Sequence, residues 1–596
     1  MRTRLGLIVA CVLAVQCLYL SDQPVPPHSS HDGFSLIPQL QKLIEGRVPD
    51  DPSFGMFEGT WFPPVPAEEA QVGWAPWASR LFGNVRPHTW VDAPHPLALA
   101  GAAATILPGQ GWLPVAVITG YFLVLILALY AIGARIRSPS VGLLAAALGA
   151  GAPGLFGMSR YVETHLPLVA VATAVVALLL HLDGLKRWGL CFTASLMVWS
   201  LTRTGEAAGE VIIAGLLVAG PGLVTLWRAR SSSGTRLPLL GLVSLVLPAL
   251  ILVDLEFLRA CMESVTRAFA DPEIQTDVAQ KGGALGTGWA WKGAYFILLF
   301  TDYLSPLLSV FLPLALWGLW AGRSSPVAHR WVMWAWLLVP WLALSWMQRK
   351  AGWYGIGLIP PVVVWMAVGL DRVPRGRPWI VGAAVGVALF QLVVGSLVPR
   401  DAVPDGLTRL RQPIPVHDWR LRRLDLLRPV DTPAMRRLAT DARAFVAWLD
   451  EAHPPTGDLI YVAAVVRGST ADYPLRTMVE LARPDVALVN LADPRARRIG
   501  YRGFTPDDFV ALLHVGEGLD PWPPSPAQVD WLSTHLGCQP GDPLDPFLNA
   551  MLQRGTVMAD ADVPVVRLGP PKGRVIGPGR LWRPRTPVDP RGFCGR

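Results

Sequence analysis

Long apolar runs separated by short polar segments dominate the first two-thirds of the chain. They fall at about 5–20, 114–133, 140–158, 165–182, 188–202, 208–227, 237–255, 304–322, 331–347, 353–370 and 378–398. A helix needs roughly 20 residues to cross the hydrocarbon core of a bilayer, so the pattern predicts about eleven membrane-spanning helices. The first run follows Arg2 and Arg4 and also fits a signal peptide. It has no small-residue cleavage site after Tyr19, which favours an uncleaved first helix. From about residue 399 the runs cease. There "AMRRLATDARAFVAWLDEA" (434–452) has helical apolar spacing, and "GDLIYVAAVV" (457–466) and "DVALVNLAD" (485–493) read as buried strands around a helix, "PLRTMVELARP". The expected architecture is an α-helical polytopic membrane domain over 1–398, followed by a region 399–596 with a small α/β domain at about 430–570.

The polar segments carry a second pattern. Every other short loop is basic: Arg135 and Arg137, Lys186 and Arg187, Arg228, Arg230 and Arg236, Arg323 and Arg330, and Arg372, Arg375 and Arg377. Basic loops face the cytoplasm. The N-terminus is therefore expected in the cytoplasm, with the large loops 21–113 and 256–303 and the C-terminal region outside. A bacterial inner or plasma membrane suits that layout. Only 16% of residues are charged and 52% are hydrophobic, well below the charge density of soluble proteins. The formal charge of +8 thus reflects membrane orientation and implies no nucleic-acid partner. Cys11, Cys17, Cys191 and Cys261 lie in or beside apolar runs and read as small buried hydrophobes. Cys538 and Cys594 lie in polar sequence and can pair if that region is extracytoplasmic.

Under this topology five segments share the outer face: "HSSHDGFSLIPQLQKLIEGRVP" (28–49), "WVDAPHPLALAGAAATILPG" (90–109), "MSRYVETHLPL" (158–168), "SLTRTGEAAGE" (200–210) and "SWMQRKAGWYGIGLIPP" (345–361). Charged residues at span ends are costly unless paired or hydrated, which makes them site candidates. The set resembles the lipid-linked-sugar glycosyltransferases of the GT-C type, in the protein O-mannosyltransferase and aminoarabinose transferase superfamily. The likeness lies in an acidic residue and an amphipathic stretch ending in Gly after the first span ("HDGFSLIPQLQKLIEG"), and in a Pro-rich entry to the second span ("APHPLALAGAA"). It extends to a second outer acid (Glu163) and to Lys350, Trp353, Tyr354, Pro360 and Pro361 opening a late span. It covers roughly residues 1–400. Asp32 is followed by Gly33 where many members have a second acid, the prolines are split as Pro94-His95-Pro96, and the second acid is Glu. These departures bear on the acceptor class.

The resemblance implies transfer of a hexose or pentose, as in a mannosyltransferase-like enzyme of the cell envelope. The donor is a polyprenyl-phosphate-linked sugar and the acceptor a protein, lipid or glycan. Such chemistry needs a carboxylate to serve the acceptor and cations to neutralise the departing phosphate. Asp32 and Glu163 are the expected catalytic acids. Lys350, Arg349, Arg160 and Arg203, with Tyr354, His95 and Asp92, form the expected substrate-binding set. Structural alternatives stand beside each role. Glu163 can pair with Arg160 one turn back, Arg203 with Glu206, and Lys350 can snorkel to the interface within a belt formed by Trp353 and Tyr354. The "IPP" that follows is expected to break the helix. No cofactor motif is present. A divalent metal is left open, since His28, His31, His88 and His95 have irregular spacing. The glycine-rich stretch within 256–303 reads as a lid over the site. Two other functions compete. A transporter or flippase of lipid-linked glycans would show inverted repeats and mid-span charges, neither of which is seen. A non-catalytic membrane scaffold would use the outer domain for binding.

Overall fold

A computed structural model describes residues 2–21, 112–160, 165–181, most of 296–321, 327–346, 352–374, 378–397, 433–455, 460–466, parts of 475–490, 509–515, 555–558 and 565–568. The spans expected at 188–202, 208–227 and 237–255 lie outside these residues, as do Cys538 and Cys594. The chain divides into two compact units: the first holds the described residues 2–21 and those from Val115 to Leu397, and the second holds 112–114 and everything described from Pro433 onward.

The first unit consists of α1 (Arg2–Ser21), α2 (Trp112–Ile136), α3 (Pro139–Ala150), α4 (Pro153–Met158), α5 (His165–His181), α6 (Ser305–Ser309), α7 (Leu312–Ala321), α8 (Val327–Trp346), a 3-10 helix (Gly352–Leu358), α9 (Ile359–Asp371) and α10 (Pro378–Leu397). Among the described residues, Thr3–Leu20, Val115–Ile136 and Pro378–Leu397 are long and apolar enough to cross a membrane. Cys17 on α1 is exposed and Cys11 half-exposed, so these two face outward from the helix bundle rather than into it.

Three apolar runs depart from single uninterrupted helices. The run 140–158 is split at Gly151–Ala152 into α3 and α4. Pro153 has no N–H to donate and so starts a helix instead of continuing one. A Cβ on Gly151 would stand 2.3 Å from the Ala388 carbonyl oxygen, so α10 passes directly over the break. The run 304–322 is divided between α6 and α7, and helical backbone already covers the described residues from Phe296 to Tyr303, inside the stretch read as a lid. The two helical pieces meet at Ser305, whose φ of 74° is left-handed. Its hydroxyl accepts the amides of Leu307 at 3.1 Å and Leu308 at 3.3 Å and thereby caps α6. Pro360 and Pro361 do not break a helix. They occupy the first turn of α9, where a missing N–H costs nothing.

Close packing between α7 and α9 depends on two glycines. A Cβ on Gly318 would lie 2.0 Å from the Trp365 carbonyl oxygen, and one on Gly369 would lie 2.0 Å from that of Leu314. The two backbones therefore touch. The ends of this unit are marked by polar contacts. Arg135 donates to the Leu180 carbonyl (3.0 Å), and Arg137 pairs with Asp371 (3.0 Å). These contacts gather the loop after α2, the last turn of α5 and the end of α9. They join three of the segments at which the basic loops were read, at one end of the bundle.

The second unit pairs α11 (Pro433–Ala452) with a five-stranded sheet of β1 (Ile460–Val466), β2 (Val486–Asn490), β3 (Phe509–Val515), β4 (Gly555–Met558) and β5 (Val565–Leu568). Strand order is β2-β1-β3-β5-β4. β1 runs parallel to β2 and β3, and β5 runs antiparallel to β3 and β4. Helical spacing puts Ala439, Ala442, Phe445 and Leu449 on one face of α11. Strand alternation turns Val462 and Ala464, Val486 and Leu488, and Ala511 and Leu513 toward it. Leu475 and Val479, from the segment between β1 and β2, complete this core. Burying each large apolar side chain contributes about 1.5–3 kcal/mol. At the edge strand β2, the outward amide of Leu488 donates to the buried Glu480 carboxylate at 2.9 Å, which blocks an open pairing site.

Candidate active site

Of the residues expected to act, Asp32, Asp92, His95, Glu163, Arg203, Arg349 and Lys350 lie outside the described residues. Tyr354 belongs to the 3-10 helix. Arg160 is described in full.

Arg160 follows α4 and is completely buried. Its Nε donates to Gln16 Oε1 of α1 (3.3 Å), its Nη1 to the Gly395 carbonyl near the end of α10 (3.2 Å), and its Nη2 to the Ser396 hydroxyl. The guanidinium lies over the Tyr19 ring at 4.0 Å from its centroid and over the Phe156 ring at 5.0 Å. Both contacts are cation–π in character. Gln16 in turn donates to the Ser159 hydroxyl, which itself donates to the Phe156 carbonyl at 2.7 Å. Ser396 donates back to Leu392 within α10. One planar fork therefore holds the ends of α1, α4 and α10. Its carbonyl partner lies in the last turn of α10, where orphan acceptors and the helix dipole favour a cation.

A four-residue connection carries Glu163 from Arg160 to His165, the first residue of α5. His165 is only 6% exposed, so both flanks of that connection are buried. The 3-10 helix carrying Tyr354 adjoins the same region. A Cβ on Gly357 would stand 3.9 Å from Val169 Cγ2, one turn into α5, and one on Gly355 would meet Leu299 Cδ1 at 2.2 Å. The ends of α1, α4 and α10, the start of α5 and the Tyr354 turn thus occupy one end of the bundle. The Arg135 and Arg137 contacts mark the other, because α5 reaches from His165 at the first to Leu180 at the second.

Reasoning from motifs passed over Gln16, Tyr19, Ser159, Ser396 and His165. Gln16 had a signal: it is an amide inside an apolar run, and such a residue needs a partner. Gln391, buried on α10 and donating to the Ser305 hydroxyl, has the same signature. Among the described residues no group of three or more His, Cys, Asp or Glu side chains gathers around a metal position.

No protein-family model matches the chain, and no curated protein matches its sequence. Solved structures do. ArnT from Cupriavidus metallidurans in the apo state aligns with a TM-score of 0.51 at 16% identity, over 95% of this chain and 98% of that one. The same ArnT bound to undecaprenyl phosphate aligns at 0.49 and 17% identity, over 95% and 99%. The apo oligosaccharyltransferase of Archaeoglobus fulgidus aligns at 0.44 and 11% identity, over 85% and 69%. Apo ArnT thus matches nearly end to end, and the chain shares the fold of that structure.

Proposed function

We propose that this protein is a membrane glycosyltransferase that moves a hexose or pentose from a polyprenyl-phosphate carrier to an acceptor on the extracytoplasmic side. The observation that carries this reading is the fold likeness to apo ArnT over 95% of this chain and 98% of that one. The described elements next in sequence to Asp32, Glu163 and Lys350, which are the end of α1, the end of α4 with the start of α5, and the 3-10 helix, meet at one end of the helical unit, which supports this reading. In this reading the N-terminus is cytoplasmic and the C-terminal domain lies outside a bacterial inner or plasma membrane.

The step requires an acceptor hydroxyl or amine to attack the anomeric carbon. Its proton passes to a carboxylate, and the bond from the anomeric carbon to the phosphate oxygen breaks. Asp32 takes the proton, and Glu163 orients the acceptor. Two carboxylates held close together raise the pKa of one of them, which suits a base working near neutrality. Lys350, Arg349 and Arg203 neutralise the phosphate as its charge grows, because fixed cations in a site of low dielectric need no reorganisation during reaction. Asp92, His95 and Tyr354 contact the donor or acceptor.

The test is sugar transfer by purified protein supplied with polyprenyl-phosphate sugars, normalised to folded protein. Asp32→Asn is expected to lower turnover by about 10²–10⁴-fold, the range for loss of a general base. Transfer at the wild-type rate by Asp32→Asn would remove that residue from the mechanism. Donor movement across vesicles without any transfer would favour a flippase.

A further inference from the structure

Two buried polar side chains meet where the apolar run 304–322 breaks. Ser305 is 4% exposed, and Gln391, which reaches it from α10, is 7% exposed. Other polar groups at the break find partners inside the protein. The Phe300 carbonyl accepts the Leu304 amide at 3.0 Å and the Ser309 hydroxyl at 2.9 Å, and the amides of Leu307 and Leu308 close on the Ser305 hydroxyl. The pair itself is not fully met. With the Gln391 –NH2 on the Ser305 oxygen, Gln391 Oε1 is buried and has no donor among the described residues. Turning the carboxamide over does not help. The Ser305 O–H would then donate to Oε1, and the –NH2 would stand unmet where the oxygen was. One end of the carboxamide therefore lacks a partner among the described residues in either orientation.

We propose that the break at Ser305 holds one buried water molecule at the free end of the Gln391 carboxamide. Water suits this position because it both donates and accepts, so it meets the oxygen or the –NH2 alike, whereas an ion or an apolar group would not. Hydrocarbon cannot supply that partner. A broken helix beside α10, which is long and apolar enough to cross a membrane, needs its polar groups met from within, and ordered water is one of the means. The surroundings are closed by backbone. A Cβ on Gly151 would run into the Ala388 carbonyl, one turn before Gln391, and one on Gly154 would run into the Tyr303 ring. Gln391 precedes Gly395 by four residues, about 6 Å along α10. Both lie on the buried face of that helix, so the water would stand one turn from the carbonyl that accepts Arg160. The site stands or falls independently of any sugar transfer.

The test uses the full chain in lipid nanodiscs, with water itself as the probe. A density map fine enough to show ordered solvent should carry one isolated peak at hydrogen-bond distance, about 2.5–3.2 Å, from the end of the Gln391 carboxamide that Ser305 does not contact. The same peak should be missing from Gln391→Met, which keeps the length of the side chain and removes its polar atoms. A vacant position in the wild-type map would overturn the proposal. So would a protein side chain or a larger ligand occupying it, or a peak that persists in Gln391→Met.

A second measurement follows the wild-type protein in solution. With ¹⁵N-labelled glutamine, the Gln391 –NH2 signal is the one lost in Gln391→Met. It should show a dipolar cross-peak to water. A resolved –NH2 signal with no such cross-peak would overturn the proposal.

Discussion

The two units each bury an arginine, and they satisfy it differently. Arg160, in the apolar helical unit, is held among the described residues by an amide oxygen, a carbonyl, a hydroxyl and two aromatic faces. Arg483, in the sheet unit, is held by carboxylates. Asp485 takes its Nε and Nη2 at 2.8 and 2.6 Å, Asp450 of α11 takes Nη1 at 2.8 Å, and the His453 carbonyl takes Nη2 at 2.9 Å. The hydrogen bonds that Arg483 donates to Asp485 raise its pKa further above its ordinary value, against the opposing effect of burial and with help from Asp450. Both residues join elements distant in sequence. Among the described residues of the helical unit the acceptors come from helix termini and a neutral amide, whereas the sheet unit, with water at its margin, can use ionised partners. Buried ion pairs in hydrocarbon carry a heavier desolvation cost.

The largest expected effect follows from that contrast. Arg483→Met leaves the Asp485 carboxylate, itself 4% exposed, without its cation. The second unit should lose about 3–5 kcal/mol, the cost of breaking a buried pair from one side. Protease resistance and denaturant midpoints of that unit in the full chain measure it. Among the described residues the partners that Arg160→Met strands are neutral acceptors, so the helical unit should lose about 1–3 kcal/mol. Thermal unfolding in detergent reads the loss, and a cost above that of Arg483→Met would break the comparison. Arg137→Gln supplies the exposed reference. Its pair with Asp371 has side chains 38% and 27% exposed, so removal should cost about 0–1 kcal/mol and shrink further at high salt.

Much of the helical unit could be read along the chain. α1, α2 and α10 follow from run length and hydropathy alone, and the alternation of basic loops anticipated that Arg135, Arg137 and Asp371 would share an end. The position of Arg160 could not be read. Its partner Gln16 lies 144 residues away, and one-dimensional spacing suggested only the neighbouring Glu163. In the second unit β1 and β2 coincide with the two apolar runs read as strands. β3 was missed although "FVALLHV" is apolar, because it stands amid Pro- and Gly-rich sequence. β4 and β5 are four residues each, too short for periodicity to register.

By itself the sequence determined what local physics controls: which segments prefer hydrocarbon and which loops carry positive charge. The tertiary structure decided what depends on contacts between distant segments. It split 140–158 where α10 crosses Gly151, and it turned Ser305 left-handed under the Gln391 amide. It also ordered the sheet as β2-β1-β3-β5-β4 and buried Arg160, read along the chain as one of the phosphate-binding cations, among α1, α4 and α10. The reason is the same in each case. A buried polar group or a close backbone approach is stable only with its partner in place, and that partner is chosen by packing rather than by neighbours in the chain.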